Sequence, residues 1–276
     1  MEQIKFSALV SVYKNDNLAH LKEAIESVLS QTLMPDEIVV AVDGPISDDM
    51  RTLLEKYAEK YGFFRNVFLP ENIGRGAALN KVLPMCNYDY IAIVDADDIN
   101  LSHRFELLIK TIKEQNDLAI VGAQIEEVDS NTLEHLGYKR VPLSKEEIYS
   151  YTKKRSPFNQ PSVMFNKTAV LSVGGYLHMH LSEDYYLWMR LVAAGFNMCN
   201  LPDVLVKMRI DKKLFARRGG YKYFKSNAEM QKKIYKAGMT NYFEYVINIF
   251  GRFFVQVLFP NKLRAVFYKK FLRTKK

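Results

Sequence analysis

Along the first 110 residues, apolar positions switch repeatedly between the period of a strand and that of a helix. Phe6-Ser7-Ala8-Leu9-Val10-Ser11-Val12-Tyr13 reads as a strand, followed by the polar turn Lys14-Asn15-Asp16-Asn17. Residues 20–29 then place Leu21, Ala24, Ile25, Val28 and Leu29 at helical spacing, a core-facing stripe. After Pro35-Asp36, residues 37–42 form a near-continuous apolar run, as in parallel strands covered on both faces, and end at Asp43-Gly44-Pro45. The pattern predicts a helix over 48–61, a short strand at Val67-Phe68-Leu69, a helix over 74–83 and a strand over 88–95. Such alternation predicts a mostly parallel α/β sheet flanked by helices.

Beyond residue 110 the pattern is looser. Residues 119–122 predict a strand, 126–138 are less regular, 145–153 predict a helix and Ser162-Val163-Met164-Phe165 a strand. Gly174-Gly175-Tyr176 marks a turn that needs a free backbone, and 182–194 is a strongly apolar helix opening on Glu183-Asp184. From 242 to 259 the polar residues Glu244, Asn248, Arg252 and Gln256 recur every fourth position, which on a helix makes one polar stripe, with Phe243, Ile247, Phe250, Phe254 and Leu258 elsewhere. This stretch is a poor membrane span and fits an interfacial helix better; the alternative is that its apolar side packs as core on the preceding domain or a partner subunit.

Charge divides the chain more sharply than periodicity does. Residues 1–206 carry 20 Lys/Arg and 28 Asp/Glu, whereas 207–276 carry 19 and 3. Two regions with different partners are therefore expected, one over 1–206, with halves of about 1–110 and 111–206, and a basic, partly helical extension over 207–276. Overall composition, 48% hydrophobic and 25% charged, is that of a globular protein. Cys86 and Cys199, far apart, argue for a reducing compartment and against a disulfide framework. With no signal peptide evident at Met1-Glu2-Gln3-Ile4-Lys5, a cytoplasmic location is expected.

The chemistry concentrates at Asp95-Ala96-Asp97-Asp98, because a buried strand cannot hold unsolvated carboxylates and these acids must fall at its end. In an open parallel sheet that end faces the ligand crevice. Crowded carboxylates repel unless a hard cation holds them, and Mg²⁺ or Mn²⁺ is commonly bound by one or two acids plus substrate phosphates. The plainer reading for Asp98, and for Ser102, is an N-cap of the following helix. Asp43 could offer acceptor oxygens to a base or ribose, or serve only as a turn residue. Asn72-Ile73-Gly74-Arg75-Gly76 opens a helix whose N-terminus favours phosphate, and Arg75 could neutralise a diphosphate or stay solvated. Glu183 and Asp184 are either a reactive pair or a simple helix cap. His178 and His180 have a metal-like spacing, but a loop-exposed pair is the plainer reading.

These motifs together resemble the GT-A-fold glycosyltransferase family 2. Carrying the resemblance are Ser11-Val12-Tyr13, Val42-Asp43-Gly44, Asn72-x-Gly74 with Ala78-Leu79-Asn80, Asp95-Ala96-Asp97-Asp98, Gly174-Gly175-Tyr176, and Glu183-Asp184 with Leu187 and Arg190-Leu191, over roughly residues 6–210. It implies a GT-A (Rossmann-like) fold and a metal-dependent, inverting transfer of one sugar from a nucleoside-diphosphate sugar, a UDP-sugar above all, to a glycan hydroxyl. It implies that Asp95 contacts the ribose, that Asp97, with Asp95, binds Mn²⁺ or Mg²⁺, and that Asp43 lies by the uracil ring. Tyr13, Asn72, Gly74, Arg75, Asn80 and Ala96 fall in the donor-nucleotide site, and the catalytic base falls in the acidic pair, with Asp184 preferred over Glu183. Gln160 is placed near the acceptor, and Arg209 with Arg217 or Arg218 near the diphosphate.

Where many members have two acids, this chain has Val42-Asp43, and it lacks the Q-x-x-R-W signature of processive synthases. The implied setting is surface-polysaccharide synthesis on the inner face of a cell membrane, with a polyprenyl-diphosphate-linked acceptor and the basic extension on anionic lipid. Two rival readings are a sugar-phosphate nucleotidyltransferase, which normally has a glycine-rich first loop that Tyr13-Lys14-Asn15-Asp16-Asn17 lacks, and a nucleic-acid-binding protein using the basic tail. The second leaves the acid cluster unexplained, so no nucleic acid is expected as partner.

Overall fold

The computed structural model describes residues 4–115, 117–211 and 220–259. In chain order its strands are β1 (Phe6–Tyr13), β2 (Glu37–Asp43), β3 (Phe64–Phe68), β4 (Tyr90–Asp95), β5 (Ile99–Asn100), β6 (Leu118–Asp129), β7 (His135–Lys139), β8 (Met164–Asn166) and β9 (Asn197–Ile210). The principal helices are α1 (Leu18–Leu29), α2 (Asp48–Lys60), α3 (Arg75–Val82), α4 (Arg104–Glu114), α5 (Lys145–Thr152), α6 (Lys167–Ser172), α7 (Glu183–Ala193), α8 (Tyr221–Lys236) and α9 (Tyr242–Phe253).

One sheet joins all the strands in the order β3-β2-β1-β4-β8-β6-β9-β5, with β7 paired to β6. The first four are parallel, as the alternation predicts, and β8 enters antiparallel to both β4 and β6. All seven residues of β2 are buried, which accounts for its unbroken apolar run. Successive residues feed opposite faces: Leu9, Val39, Ala41 and Ile93 pack with α3 and α7, while Ala8, Val10, Val40 and Val94 pack with α1, α2 and α4. The strand order reverses between β1 and β4, and that switch point opens a crevice beyond the carboxyl ends of the strands.

Three expectations change. Residues 126–138 are strand for much of their length, because β6 continues to Asp129 and β7 folds back on it; Glu127 and Val128, adjacent, are both buried, so the segment lacks a clean period of two. The expected break at 206 falls inside β9, and α8 adds Met230 and Ile234 to the core that holds Trp188. The N-cap of α4 is His103 without a side-chain bond, not Asp98 or Ser102.

Helix α9 reverses the usual rule that an amphipathic helix turns its apolar side inward. Its polar stripe faces the protein: Asn248 Nδ2 donates to the Lys153 carbonyl at 3.3 Å, Arg252 donates to the Lys154 carbonyl, and Glu244 lies 3.8 Å from Lys153 Nζ. No residue of α9 is buried, so its apolar side is not core of this chain, contrary to that half of the packing alternative. Among the described residues, no helix is long and apolar enough to cross a membrane.

Candidate active site

The parallel register aligns three strand ends, setting Tyr13 beside Asp43 across β1 and β2, and Ser11 beside Asp95 across β1 and β4. Of the residues expected here, Asp43, Asn72 and Gly74 bind one another. The Asp43 carboxylate accepts from Asn72 Nδ2 at 3.0 Å, from the Ile73 amide at 2.8 Å and from the Gly74 amide at 3.0 Å. Both its oxygens thus hold the loop that starts α3. Gly44, at φ 85°, lies so close that a Cβ would sit 2.5 Å from the Asn72 nitrogen, so the β2 turn and this loop fit only around a glycine.

The acid cluster is assembled as predicted, though its members are not equivalent. Asp97 is exposed at the crevice, Asp95 is half-buried and ion-paired with Arg75, and Asp98 is buried. Burial raises the Asp95 carboxyl above its ordinary range, Arg75 opposes this, and Asp97 adds to it. Burial raises Asp98 well above that range, reinforced by Asp97 and Asp95 and opposed by the Arg209 amide, which donates to Asp98 Oδ1 at 2.9 Å. Ala96 packs its methyl in the core, so that side chain is not presented to a ligand as expected.

Beneath the cluster lies a cation that sequence reasoning missed. Arg104, with no exposed surface, donates to the Ile93 carbonyl at 2.8 Å and the Val163 carbonyl at 3.1 Å. Burial lowers its pKa to about 9, with Asp95 and Asp98 opposing. Asp16 was also missed, read only as part of a polar turn. Its Oδ2 accepts from the Tyr13 amide at 2.9 Å, and burial raises its pKa to about 7, against that bond and with Asp97 and Asp95 adding. The available signal was its position just past the carboxyl end of a parallel strand.

A cavity of about 260 Å³ adjoins the cluster and is lined by Arg75, Gly76, Leu79, Gln160, Tyr176, Leu181, Glu183 and Asp184. It brings together the acidic pair, Gln160 and Arg75, which lie far apart in sequence. Burial raises the Glu183 carboxyl, Asp184 adds to this, and Arg75 and His178 oppose it. Gln160 Nε2 donates to the Tyr176 hydroxyl at 2.9 Å, while its Oε1, buried, has no partner among the described residues. Asn80, expected at the nucleotide, instead grips the Tyr176 backbone, donating to its carbonyl at 2.7 Å and accepting from its amide at 2.6 Å. A Cβ on Gly175 would meet Asn80 Oδ1 at 2.3 Å, which explains the free-backbone turn.

Arg209 is not free for a diphosphate. It is buried, donating to the Asp97 carbonyl at 2.8 Å, to the Ser130 carbonyl at 3.3 Å and to the Glu23 carboxylate. Its role is to clamp the acidic loop from behind. Arg217 and Arg218 lie outside the described residues. His178 is exposed in the loop before α7, and no group of three His, Cys, Asp or Glu side chains among the described residues forms a ready metal cage.

The profile of the Glycosyl transferase family 2 matches residues 7–175. The chain is 38% identical over 269 residues to the UDP-Gal:alpha-D-GlcNAc-diphosphoundecaprenol beta-1,3-galactosyltransferase of Escherichia coli, covering 98% of this chain and 97% of that one. It is 34% identical to the amylovoran biosynthesis glycosyltransferase AmsE of Erwinia amylovora, over 96% and 98% of the two chains. In fold it is similar to the Staphylococcus aureus TarS 1–349 fragment in complex with UDP-GlcNAc, with a TM-score of 0.68 at 16% identity, covering 96% of this chain and 75% of that one. Against a longer TarS chain it spans 46% of the length.

Two predictions test this geometry without substrate. Arg209→Met removes charge-assisted bonds worth about 2–3 kcal/mol in total, which should lower the melting temperature by roughly 5–10 °C for a chain of this size; a melt unchanged within about a degree would remove the clamp. Asp16, raised from 3.8 to about 7, holds its proton more tightly folded than unfolded. Its stabilising share is therefore complete below about pH 4 and lost as pH rises through about 7. Asp16→Asn should melt higher than the parent at pH 8 and alike at low pH, where a constant difference across pH would contradict the shift.

Proposed function

The chain belongs to glycosyl transferase family 2, and we propose that it moves a single sugar from a UDP-sugar to a hydroxyl of a lipid-diphosphate-linked glycan. It is a glycosyltransferase, which sets aside the nucleotidyltransferase reading. The observation that carries the proposal is the convergence of Glu183, Asp184, Arg75 and Gln160 around one cavity beside Asp95 and Asp97. A relative acting on a GlcNAc-diphosphoundecaprenol acceptor matches end to end, which supports the acceptor class and a peripheral place on the inner membrane face in surface-polysaccharide synthesis.

The residues present fit a hard divalent cation. The donor set is all carboxylate, without His or Cys, and the mutual repulsion that raises Asp95 and Asp98 is what a cation would relieve. Asp97, exposed, and Asp95 would hold Mn²⁺ or Mg²⁺ together with the donor diphosphate. The cation's chemistry is to stabilise negative charge on the departing diphosphate.

The protein's own groups supply the rest. Asp184, or Glu183 beside it, takes the proton of the acceptor hydroxyl as its oxygen attacks the anomeric carbon. The bond to the diphosphate breaks on the opposite face with its electron pair leaving on UDP, so the configuration inverts. A positioned carboxylate in this role is worth about 10²–10⁴-fold. Burial raises the Glu183 carboxyl above its ordinary range, and the adjacent Asp184 adds to this. Gln160 Oε1, unpartnered in the cavity wall, is positioned to accept from a sugar hydroxyl. Arg75 stands between Asp95 and Asp184, both of which pull its pKa upward against burial, and so can follow charge as it moves to the leaving group.

The deciding measurement is transfer from a panel of nucleotide sugars, beginning with UDP-galactose, to a GlcNAc-diphosphate lipid of short chain in the presence of Mn²⁺; no product and no donor hydrolysis with any UDP-sugar would refute the reading. Asp184→Asn should keep UDP affinity and lose about 10²-fold or more in transfer rate. Full rate in that variant, with loss in Glu183→Gln, would move the base to Glu183. Asp97→Ala should keep its melting temperature yet lose Mn²⁺-dependent UDP binding by calorimetry. Unchanged affinity would remove Asp97 from the metal site.

A further inference from the structure

The outward apolar side of α9 has a consequence for how acceptor reaches the cavity. Phe243, Ile247 and Phe250 of α9, with Phe254 and Leu258 of the π-helical turn Phe254–Leu258 that continues it, are 52–72% exposed, away from the stripe that Asn248 and Arg252 anchor to the Lys153-Lys154 backbone. A helix fixed through its polar residues cannot roll to hide such a row, and an exposed apolar patch of this kind marks an interaction surface. The row contains no acid, and directly beyond it residues 260–276 add seven Lys/Arg and no Asp or Glu. Aromatic and aliphatic groups beside dense positive charge suit the acyl–headgroup boundary of an anionic bilayer.

The position of the row relative to the cavity sharpens the inference. The Gly220 amide donates to the Gln256 carbonyl at 2.9 Å, and Phe224 packs edge-on to Phe253 at 5.3 Å, so the far end of α9 meets the beginning of α8. In the second turn of α8, Ser226 Oγ donates to the His180 carbonyl, and the next residue, Leu181, lines the cavity while 54% exposed. From Tyr221, itself 68% exposed, to Ser226 is roughly 8 Å along the helix axis. The apolar row and the cavity mouth are thus joined through two turns of one packed helix.

We propose that the outward side of α9 lies in the surface of an anionic membrane and, through α8, holds the cavity mouth at Leu181 against that surface, where a lipid-linked acceptor presents its diphosphate and sugar. This rests on the lipid-linked acceptor of the proposed function and adds the surface that delivers it. The polar attachment of α9 keeps the row outward before the lipid arrives, so docking requires no unfolding of the catalytic domain.

The test uses the full chain and the double variant Phe250→Glu/Phe254→Glu, whose changes fall on exposed positions and leave the α9 anchors intact. The parent should sediment with phosphatidylglycerol vesicles at low salt, less with phosphatidylcholine alone, and the variant at least about tenfold less. With a short-chain, water-soluble acceptor both should transfer at equal rates, whereas with the same glycan on a long-chain lipid in vesicles the variant should lose about tenfold or more. Parent protein that stays in the supernatant with anionic vesicles overturns the proposal. Equal vesicle activity for parent and variant does so too, as does a parent dimer in light scattering that the variant dissolves without lipid, since the row is then a contact between copies. Absence of transfer to the soluble acceptor by both proteins would instead count against the proposed function.

Discussion

Negative charge gathered at the carboxyl edge of a parallel sheet is the condition on which the site depends. Asp16, Asp95, Asp97 and Asp98 stand near one another at a partly dry edge, and burial, with repulsion from neighbouring acids, favours the neutral forms of Asp16, Asp95 and Asp98. Left alone, such a loop would relax outward into water. It is held by cations and amides placed around it: Arg104 below, Arg209 behind and Arg75 in front. Two of these three are buried and bound to backbone carbonyls, so they restrain the loop without competing for ligand. Only Arg75 faces the cavity. The loop keeps its anionic character because its supports neutralise it incompletely, and that residual charge is what a cation and a diphosphate would answer.

The same division of labour separates what was legible in the sequence from what was not. Elements with a strong period were read nearly to the residue: β1 matches over Phe6–Tyr13, and α7 begins at Glu183, one residue inside the predicted helix. The convergence of these segments was legible too, since acids past the ends of parallel strands must meet along one edge of the sheet. What could not be read was who binds whom. Asp43, Asn72 and Gly74 were all placed at the nucleotide, and the spacing gave no hint that the Asp43 carboxylate also binds the other two. Asn80 and Arg209 likewise turned out to hold backbone. Such pairings depend on contacts between residues 29 to 112 positions apart, and no local spacing encodes them.

Missed residues have a similar cause. Arg104 opens α4 and reads as an ordinary exposed helical cation, because nothing local signals that its turn lies beneath the acidic loop. Residues 126–138 lost their period because the pairing of β6 with β7 shifts register between Glu127 and Val128, leaving both of these neighbours buried. In both cases the tertiary neighbour, not the segment, decides the outcome.

Helix α9 shows how a pattern can be read correctly and still leave its orientation open. Hydrophobic periodicity says that two sides differ; it does not say which side meets protein. Burying the apolar row would have been the default, since each buried large apolar side chain contributes about 1.5–3 kcal/mol. Against that, Asn248 and Arg252 offer donors to carbonyls at the end of α5 that would otherwise go unmet, and Asn241 and Glu244 cap the helix reciprocally. Those bonds are directional, so they fix the rotation of the helix as well as its place. An orientation that leaves aromatic surface in water is held in isolation by these polar contacts together with the packing of Phe253 on Phe224 and of Tyr245 on Tyr235. In surroundings that solvate the row, the same orientation becomes favourable on both sides at once, and the direction of the polar stripe is therefore the feature that commits this end of the protein to an apolar boundary.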